Sequence, residues 1–428
     1  MFPGTTDIQH RRAIEALRSG VPNRDAVRAL GSSQPRIEDR FRHQLQVAQQ
    51  VFAEGNQVPG LLISGGFGSG KSHMLEYLKH LALEQNFVCS KVVVSKETPL
   101  YDPAKLYRAA IQSAVVPGKR GTALNEIAAG FDFGSSGFSD LFRLLNQGEL
   151  ELNSRFAATL FLFEHIREQE IIDKIVSFWS GDPLRVGELR SWLRGYGEAA
   201  TYNLERSTMR ELFLQRFRFT PRLMLAAGYS GWVLLVDEVE LIARYSFRQR
   251  AKSYAELARW LGRLDGEVFP GLSVVAAITS DFATKVLDER NDEEVIPGRL
   301  RASGLGTDSS LATDAESGVR LIVRDAVPLQ SLGDETIERT REVVRGIHGE
   351  AYHWDPPPLD SEQRLITTSM RQHVRRWITE WDFKRLDPQY AVNMLVKDLA
   401  VDYGELPALE VQTEGHEEAE SGGREGDA

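Results

Sequence analysis

The sequence predicts an α/β fold, a parallel sheet flanked by helices, with a large helical insertion and a helical C-terminal lid. Three observations predict it. A glycine loop, GGFGSGKS from Gly65 to Ser72, lies between the apolar run PGLLIS and a helical pattern. A distant apolar run, WVLLVDE, ends in the paired carboxylates Asp237 and Glu238. Other short apolar runs bounded by glycine or polar residues alternate with helical spacing, as strands buried on both faces do.

The elements follow in chain order. Residues 1–55 form a helical arm, in which Ile14, Leu17, Val27 and Leu30 recur at helical spacing and SGVPN and GSSQP break the pattern. Residues 56–115 hold a first half-core. There PGLLISGG reads as a strand, SHMLEYLKHLALEQN as a helix with Met74, Leu75, Leu78, Leu81 and Ala82 on one face, and FVCSKVVVSK as a strand. Residues 116–229 are a helical insertion, whose size demands a core of its own and whose Trp179 and Trp192 belong in that core. Residues 230–330 complete the sheet, with strands at GWVLLVDEVE, LSVVAAITS and VRLIVRDAVPL and a helix at SYAELARWLGRLD. Residues 331–412 are a helical lid broken at HWDPPPLD, and the acidic, glycine-rich tail 413–428 is too poor in apolar residues to fold.

A chain of 428 residues exceeds one ordinary core, so two or three folding units are expected. Hydrophobic residues make up 42% and no apolar run approaches the roughly 18 residues needed to span a bilayer. The first residues lack the apolar core of a secretion signal, and the single cysteine, Cys89, cannot form an internal disulfide. Both point to a cytoplasmic setting. The net charge of −10 argues against a surface coated for nucleic acid but leaves room for a local basic patch.

The spacing from Gly65 to Ser72 fits G-x-x-x-x-G-K-[ST]. Gly65, Gly66, Phe67, Gly68, Ser69 and Gly70 would turn successive backbone N–H groups toward phosphate oxygens, and the next helix would add its positive end. Lys71 would reach the β and γ phosphates, Ser72 would ligate Mg²⁺, and His73 adjoins them. A plain glycine turn before a helix is the alternative. Strand-end carboxylates lie where ligands of open α/β sheets bind, so Asp237 would hold Mg²⁺ through water and Glu238 would polarise an attacking water. ATP and Mg²⁺ are the expected ligands. The second carboxylate favours hydrolysis over transfer to an acceptor, although a kinase-like phosphotransferase stays open.

The order of these motifs resembles AAA+ ATPases of the initiator type. More narrowly, RRAIEALRSGVPNRDAVRALG, GGFGSGKSHMLEYL, DPAKLYRAAIQ and LLVDEVELIARYSFRQRAKSYAELARWL resemble the ATP-binding proteins of bacterial BREX phage-exclusion systems. That resemblance implies an ATP-dependent member of a defence or DNA-handling complex, beside a helicase or other defence proteins and possible further copies of itself. It also implies a polar residue at the end of a neighbouring strand, for which Thr279 is the candidate. A lid arginine is implied too. Arg371 in SMRQ takes that place, although the family's Ser-Pro-Arg lacks its proline here. A trans-acting arginine would be Arg299, with Arg301 beside it.

Two basic clusters remain, Arg244, Arg248, Arg250 and Lys252 with Tyr245 and Phe247 interleaved, and Arg371, Arg375 and Arg376. Arginine alternating with aromatics suits single-stranded nucleic acid, and a solvated helix start is the alternative. The arm has a helix-turn-helix look, but GSSQP is a poor tight turn, so an arm that packs over the nucleotide site or a neighbour is the preferred reading. A nucleotide-dependent switch with negligible turnover is the rival to the enzyme. The scattered histidines support no metal site beyond Mg²⁺.

Overall fold

The computed structural model describes residues 5–20, 23–52, 54–146, 152–330, 333–359, 369–389 and 403. The expected tail 413–428 and parts of the expected lid, 360–368 among them, lie outside the described residues. The strands are β1 (Leu61–Ser64), β2 (Val88–Val93), β3 (Trp232–Asp237), β4 (Leu272–Ile278) and β5 (Val327–Pro328). They form one five-stranded sheet in the order β2-β3-β4-β1-β5. Every neighbouring pair is parallel, with Val93 opposite Asp237, Val236 opposite Ala276 and Ser64 opposite Ile278. Helices flank the sheet, and the fold is α/β and P-loop-like.

Alternation along the strands assigns each residue to a face. Leu61, Ile63, Cys89, Val233, Leu235, Val275 and Ala277 pack on one side with two helices. The chain opens with α1 (Thr5–Ser19), α2 (Arg24–Leu30) and α3 (Pro35–Val51), and α4 (Lys71–Glu84) follows β1. Of these, α3 supplies Ile37, Phe41 and Leu45 to that face, and α4 supplies Met74, Leu75, Leu78 and Leu81. The spacing of 3 and 4 in each helix gives the apolar stripe that the sheet covers.

The opposite face holds Leu62, Val88, Val92, Leu234, Val236, Val274 and Ala276. Here lie α5 (Pro103–Gln112), α6 (Ala123–Ala129), α7 (Ser136–Asn146), α8 (Ser154–His165), α9 (Gln169–Ser180), α10 (Val186–Gly195) and α11 (Met209–Ala226). Their Tyr107, Phe156, Phe178, Trp179, Phe213 and Phe217 join the sheet residues in one continuous cluster. The insertion therefore has no separate core. Its aromatics complete the sheet's own, with Trp232 stacked on Phe217 at 5.5 Å and hydrogen-bonded to Ser90 across the strands at 2.8 Å. Trp179 is fully buried, and Trp192 packs at the cluster's edge.

After β3 come a 3₁₀ turn (Val239–Arg244), α12 (Phe247–Trp260), β4, α13 (Asp292–Ala302) and α14 (Gly306–Arg320). The run VRLIVRDAVPL departs from expectation. Leu321–Asp325 continue as a π turn from α14, and only Val327–Pro328 pair with β1. A short apolar run does not by itself distinguish a buried strand from a buried helix end, and Leu321 and Ile322 are buried as helical neighbours.

The last helices among the described residues are α15 (Asp334–Tyr352) and α16 (Met370–Leu386), which pack on α1 and α2. Ala13, Ile14, Ala26, Val344, Ile378 and Trp381 share a cluster distinct from the sheet's. A polar relay pins it. Trp354 donates to His348 Nδ1 at 2.9 Å, so Nε2 carries the proton that faces Asp382 at 3.2 Å. Arg18 of α1 donates to the other oxygen of Asp382 at 2.6 Å. Burial pushes the Asp382 carboxyl up, but His348 and Arg18 outweigh it and hold it below its ordinary value. Among the described residues no helix is long and apolar enough to cross a membrane.

The closest helix contact is between α12 and α14, where a Cβ on Gly318 would overlap the Tyr254 carbonyl oxygen. Gly318→Ala is expected to cost about 3 kcal/mol through forced separation of these helices. A chemical-denaturation midpoint unchanged from wild type would contradict this packing.

Candidate functional site

Parallel strands end at one edge, and the glycine loop leaves β1 there. Gly65 N–H donates to Ile278 O at 3.2 Å and Ser280 N–H to Gly65 O at 3.3 Å, so the end of β4 clamps the loop's start. Gly68 and Gly70 have φ of 73° and 103°, a region costly for residues with a Cβ. A Cβ on Gly68 would also lie 2.7 Å from the Ser369 hydroxyl, where α16 begins. The loop then opens directly into α4 at Lys71.

Lys71 is buried, donates to Gly65 O at 3.0 Å and lies 3.7 Å from a Glu240 carboxylate oxygen. Asp237 ends β3 on the α4 side of the sheet. Lys91, two residues before Val93 on β2, faces the same side by strand parity. Its ammonium lies 3.4 Å from Asp237 and 3.4 Å from the Ser72 carbonyl. Ser72, at the start of α4, and Asp237 are thus within reach of one ammonium group. Glu238 adopts a left-handed backbone with φ 58° and ψ 39°, strain of the kind found at functional sites. Partial desolvation and Asp237 raise its carboxyl pKa, while Lys71, Arg371 and Lys91 pull it down. Glu240 is likewise raised by burial and lowered by Lys71.

Lys71, Ser72, Asp237, Glu238 and Glu240 border a cleft of about 280 Å³. The loop from Phe67 to His73 forms its floor, with Asp237, Glu238 and Glu240 to one side. The arm contributes Leu17, Gly20 and Leu30, and the C-terminal helices contribute Arg339, Val343 and Arg371. The expected packing arm is therefore present over this site. His73 Nε2 meets Gly31 O at 2.7 Å; burial lowers its pKa, so the neutral ring donates there and ties α4 to the arm. Arg371 lies over the Phe67 ring at 5.4 Å.

Other expected residues stand apart. The Thr279 hydroxyl, at the end of β4, is 2.7 Å from Tyr403 Oη, and Tyr403 donates onward to Asp281 at 2.8 Å. Tyr403 has one proton, so Thr279 donates to it. Thr279 does not border the cleft. Arg299 is exposed on α13, its guanidinium 5.5 Å above the Phe247 ring, and Arg301 pairs with Glu316 at 2.7 Å.

One member of the expected basic patch is internal. Arg250 is buried and grips both oxygens of Asp292 at 2.9 and 3.1 Å, with Tyr254 donating to the same carboxylate at 2.9 Å. Arg248 pairs with buried Asp308, and Tyr245 is buried with its hydroxyl on Ser95 O. Of the four, Arg248 and Lys252 are exposed, Arg244 is half-buried and only Arg250 is buried. The alternation is therefore split by the helix: Tyr245 and Arg250 turn inward to the core, while Arg248 and Lys252 stay at the surface.

Two residues of the site were not anticipated, Lys91 and Glu240. Cys89 and Lys91 share a strand face, so parity along FVCSKVVV carried the signal for Lys91. Glu240 depends on the turn after Glu238, which no spacing rule foretells. As oxygen donors for a divalent ion, Ser72 and Asp237 both border the cleft. Among the described residues no cluster of three or more His, Cys, Asp or Glu could hold a metal. A cation here would therefore draw its remaining ligands from phosphate or water.

A family model described as BREX system ATP-binding protein BrxC/D matches residues 7–133 and 188–375. The chain belongs to this BREX family. The match takes in the arm, the glycine loop, the strand-end carboxylates and Arg371, so every wall of the cleft is family sequence. It omits 134–187, which carry α7, α8 and α9 of the insertion. No curated protein matches the chain.

The Arg250–Asp292 pair has a measurable consequence. Asp292→Ala strands a buried guanidinium and is expected to cost about 3–5 kcal/mol. A thermal midpoint within a degree of wild type would mean that the pair is not buried as described.

Proposed function

We propose that this BREX-family chain is a Mg²⁺-dependent ATPase of the AAA+ type, acting in a cytoplasmic phage-defence or DNA-handling complex. One observation carries the reading: Asp237, more than 160 residues downstream, borders one cleft with Lys71 and Ser72 of the glycine loop. Loop N–H groups and the start of α4 bind phosphate oxygens, and Lys71 leaves its loop carbonyls for the β and γ phosphates. Ser72 and Asp237 would hold Mg²⁺, which when bound neutralises charge on the phosphates. Glu238 accepts a hydrogen bond from the attacking water and draws its proton as the water oxygen bonds to phosphorus and ADP departs. Arg371, at the start of α16, adds positive charge from the lid and couples phosphate contact to the α15–α16 pair. The arm and α15 enclose the nucleoside between Leu17, Leu30 and Val343.

Arg299, exposed and outside this cleft, suits a role in a neighbouring copy, where such arginines are worth about 10³–10⁵ in rate. Helicases or other defence proteins are the proposed heterologous partners, with the exposed face of the insertion available to them. DNA contact would use Arg244, Arg248 and Lys252 and not the buried Arg250. A second reading, a switch that binds ATP and barely turns it over, is favoured by the Thr279 hydroxyl engaging Tyr403 and by Arg299 lying outside the cleft.

Binding and steady-state phosphate release separate the readings. Lys71→Ala should weaken ATP binding about a hundredfold. Glu238→Gln should keep binding and lose about 10²–10⁴ in turnover. Near-zero release in wild type and variant alike, with ATP bound, selects the switch. Retained micromolar affinity in Lys71→Ala removes the phosphate assignment. For Arg299, the alanine variant should bind ATP yet hydrolyse slowly, and admixed Lys71→Ala chains should restore release; absence of that rescue ends the inter-subunit role.

A further inference from the structure

Glu240 has no part in the mechanism above, yet it is among the most constrained side chains of the cleft. It follows the left-handed turn at Glu238 as the second residue of the 3₁₀ segment that leads away from β3. That turn returns it to the cleft wall, where it is 6% exposed. One carboxylate oxygen lies 3.7 Å from Lys71 Nζ. The other, Oε2, is buried without a hydrogen-bond partner. A carboxylate in that position is expensive to bury. Lys71, itself 7% exposed, offsets part of that cost and in turn keeps its ammonium turned toward Gly65 O and away from the cleft's open side.

A second anion entering the site must deal with this pair. A polyphosphate on the loop would draw the same ammonium, and at this separation Glu240 would repel it directly. We propose that Glu240 is the resident counter-anion of Lys71, a positioning residue that parks the lysine on its own loop and yields it to a polyphosphate. This rests on the nucleotide-binding reading above and adds to it a selection rule. The cleft discriminates by negative charge at the β and γ positions, because only groups that reach Lys71 recover what Glu240 gives up. The turn at Glu238 acquires a purpose as well, since its strained backbone sets the adjacent carboxylate against the lysine.

The test is calorimetric titration of the full-length chain with ATP, ADP and AMP in metal-free, EDTA-containing buffer, for wild type and Glu240→Gln. The amide keeps the size and removes the charge, so ATP and ADP are expected to bind about tenfold more tightly while AMP is unchanged. Glu240→Asp, which keeps the charge but withdraws it from Lys71, should bind ATP with an affinity between those of wild type and the amide and guards against a folding defect in the amide. ATP affinity unchanged or weakened in Glu240→Gln overturns the proposal, as does an equal gain for AMP, which would mean simple relief of burial. A collapse of MgATP turnover with affinity unaltered would also overturn it, making Glu240 a catalytic carboxylate. Should wild type bind no ATP at all, the nucleotide reading falls and this inference with it; if wild type binds and Glu240→Gln does not differ, this inference alone falls.

Discussion

The structure depends on one geometric constraint: in a parallel sheet every strand delivers its carboxyl end to the same edge. With the order β2-β3-β4-β1-β5, that edge collects the glycine loop after β1, Asp237 after β3 and Thr279 after β4. Strand parity then decides which side of the edge each group occupies. Asp237 and Lys91 face α4 because Val233, Leu235 and Cys89 do. Residues more than 160 positions apart, Lys71 and Asp237, border one cleft because parallel β1 and β3 deliver the glycine loop and the carboxylate to the same edge.

The second constraint is closure by the two ends of the chain. Helices α1 and α2 reach the cleft by packing on α15 and α16, in a cluster that shares no buried residue with the sheet's cores, and α2 also meets α4 through the His73–Gly31 bond. The Trp354–His348–Asp382–Arg18 relay joins three of these helices through bonds that leave each buried polar group a partner. The arm helices α1 and α2 and the helices α15 and α16 thus form one packed unit, and Arg371 at the root of α16 lies over the loop's Phe67.

Charge in this acidic chain is spent inwardly. Lys71 and Lys91 each meet a carboxylate of the run Asp237–Glu240, and Arg250 is consumed by Asp292. Buried pairs of this kind contribute little net stability but are costly to break, so they specify arrangement more than they strengthen it. Around the cleft they leave positive groups positioned for anions without leaving them unpaired. Around α12 they draw Arg250 into the core and leave Arg248 and Lys252 at the surface.

Much of this was legible in the sequence. The α/β class, four of the strands, α4 and the glycine loop are local: alternation, helical spacing and the conformational needs of Gly68 and Gly70 determine them before any tertiary contact forms. Family likeness was legible for the same reason, since it resides in contiguous motifs. The rest required the fold. Whether Val319–Pro328 would be strand or helix depended on what α14 packs against. The fate of Arg250 depended on an aspartate 42 positions away, Asp292. Glu240 at Lys71, Tyr403 at Thr279 and the merging of the insertion's aromatics with the sheet are all long-range pairings. Short-range pattern carries the information for elements; only tertiary structure carries it for which buried charge meets which, because that is decided by distance in space.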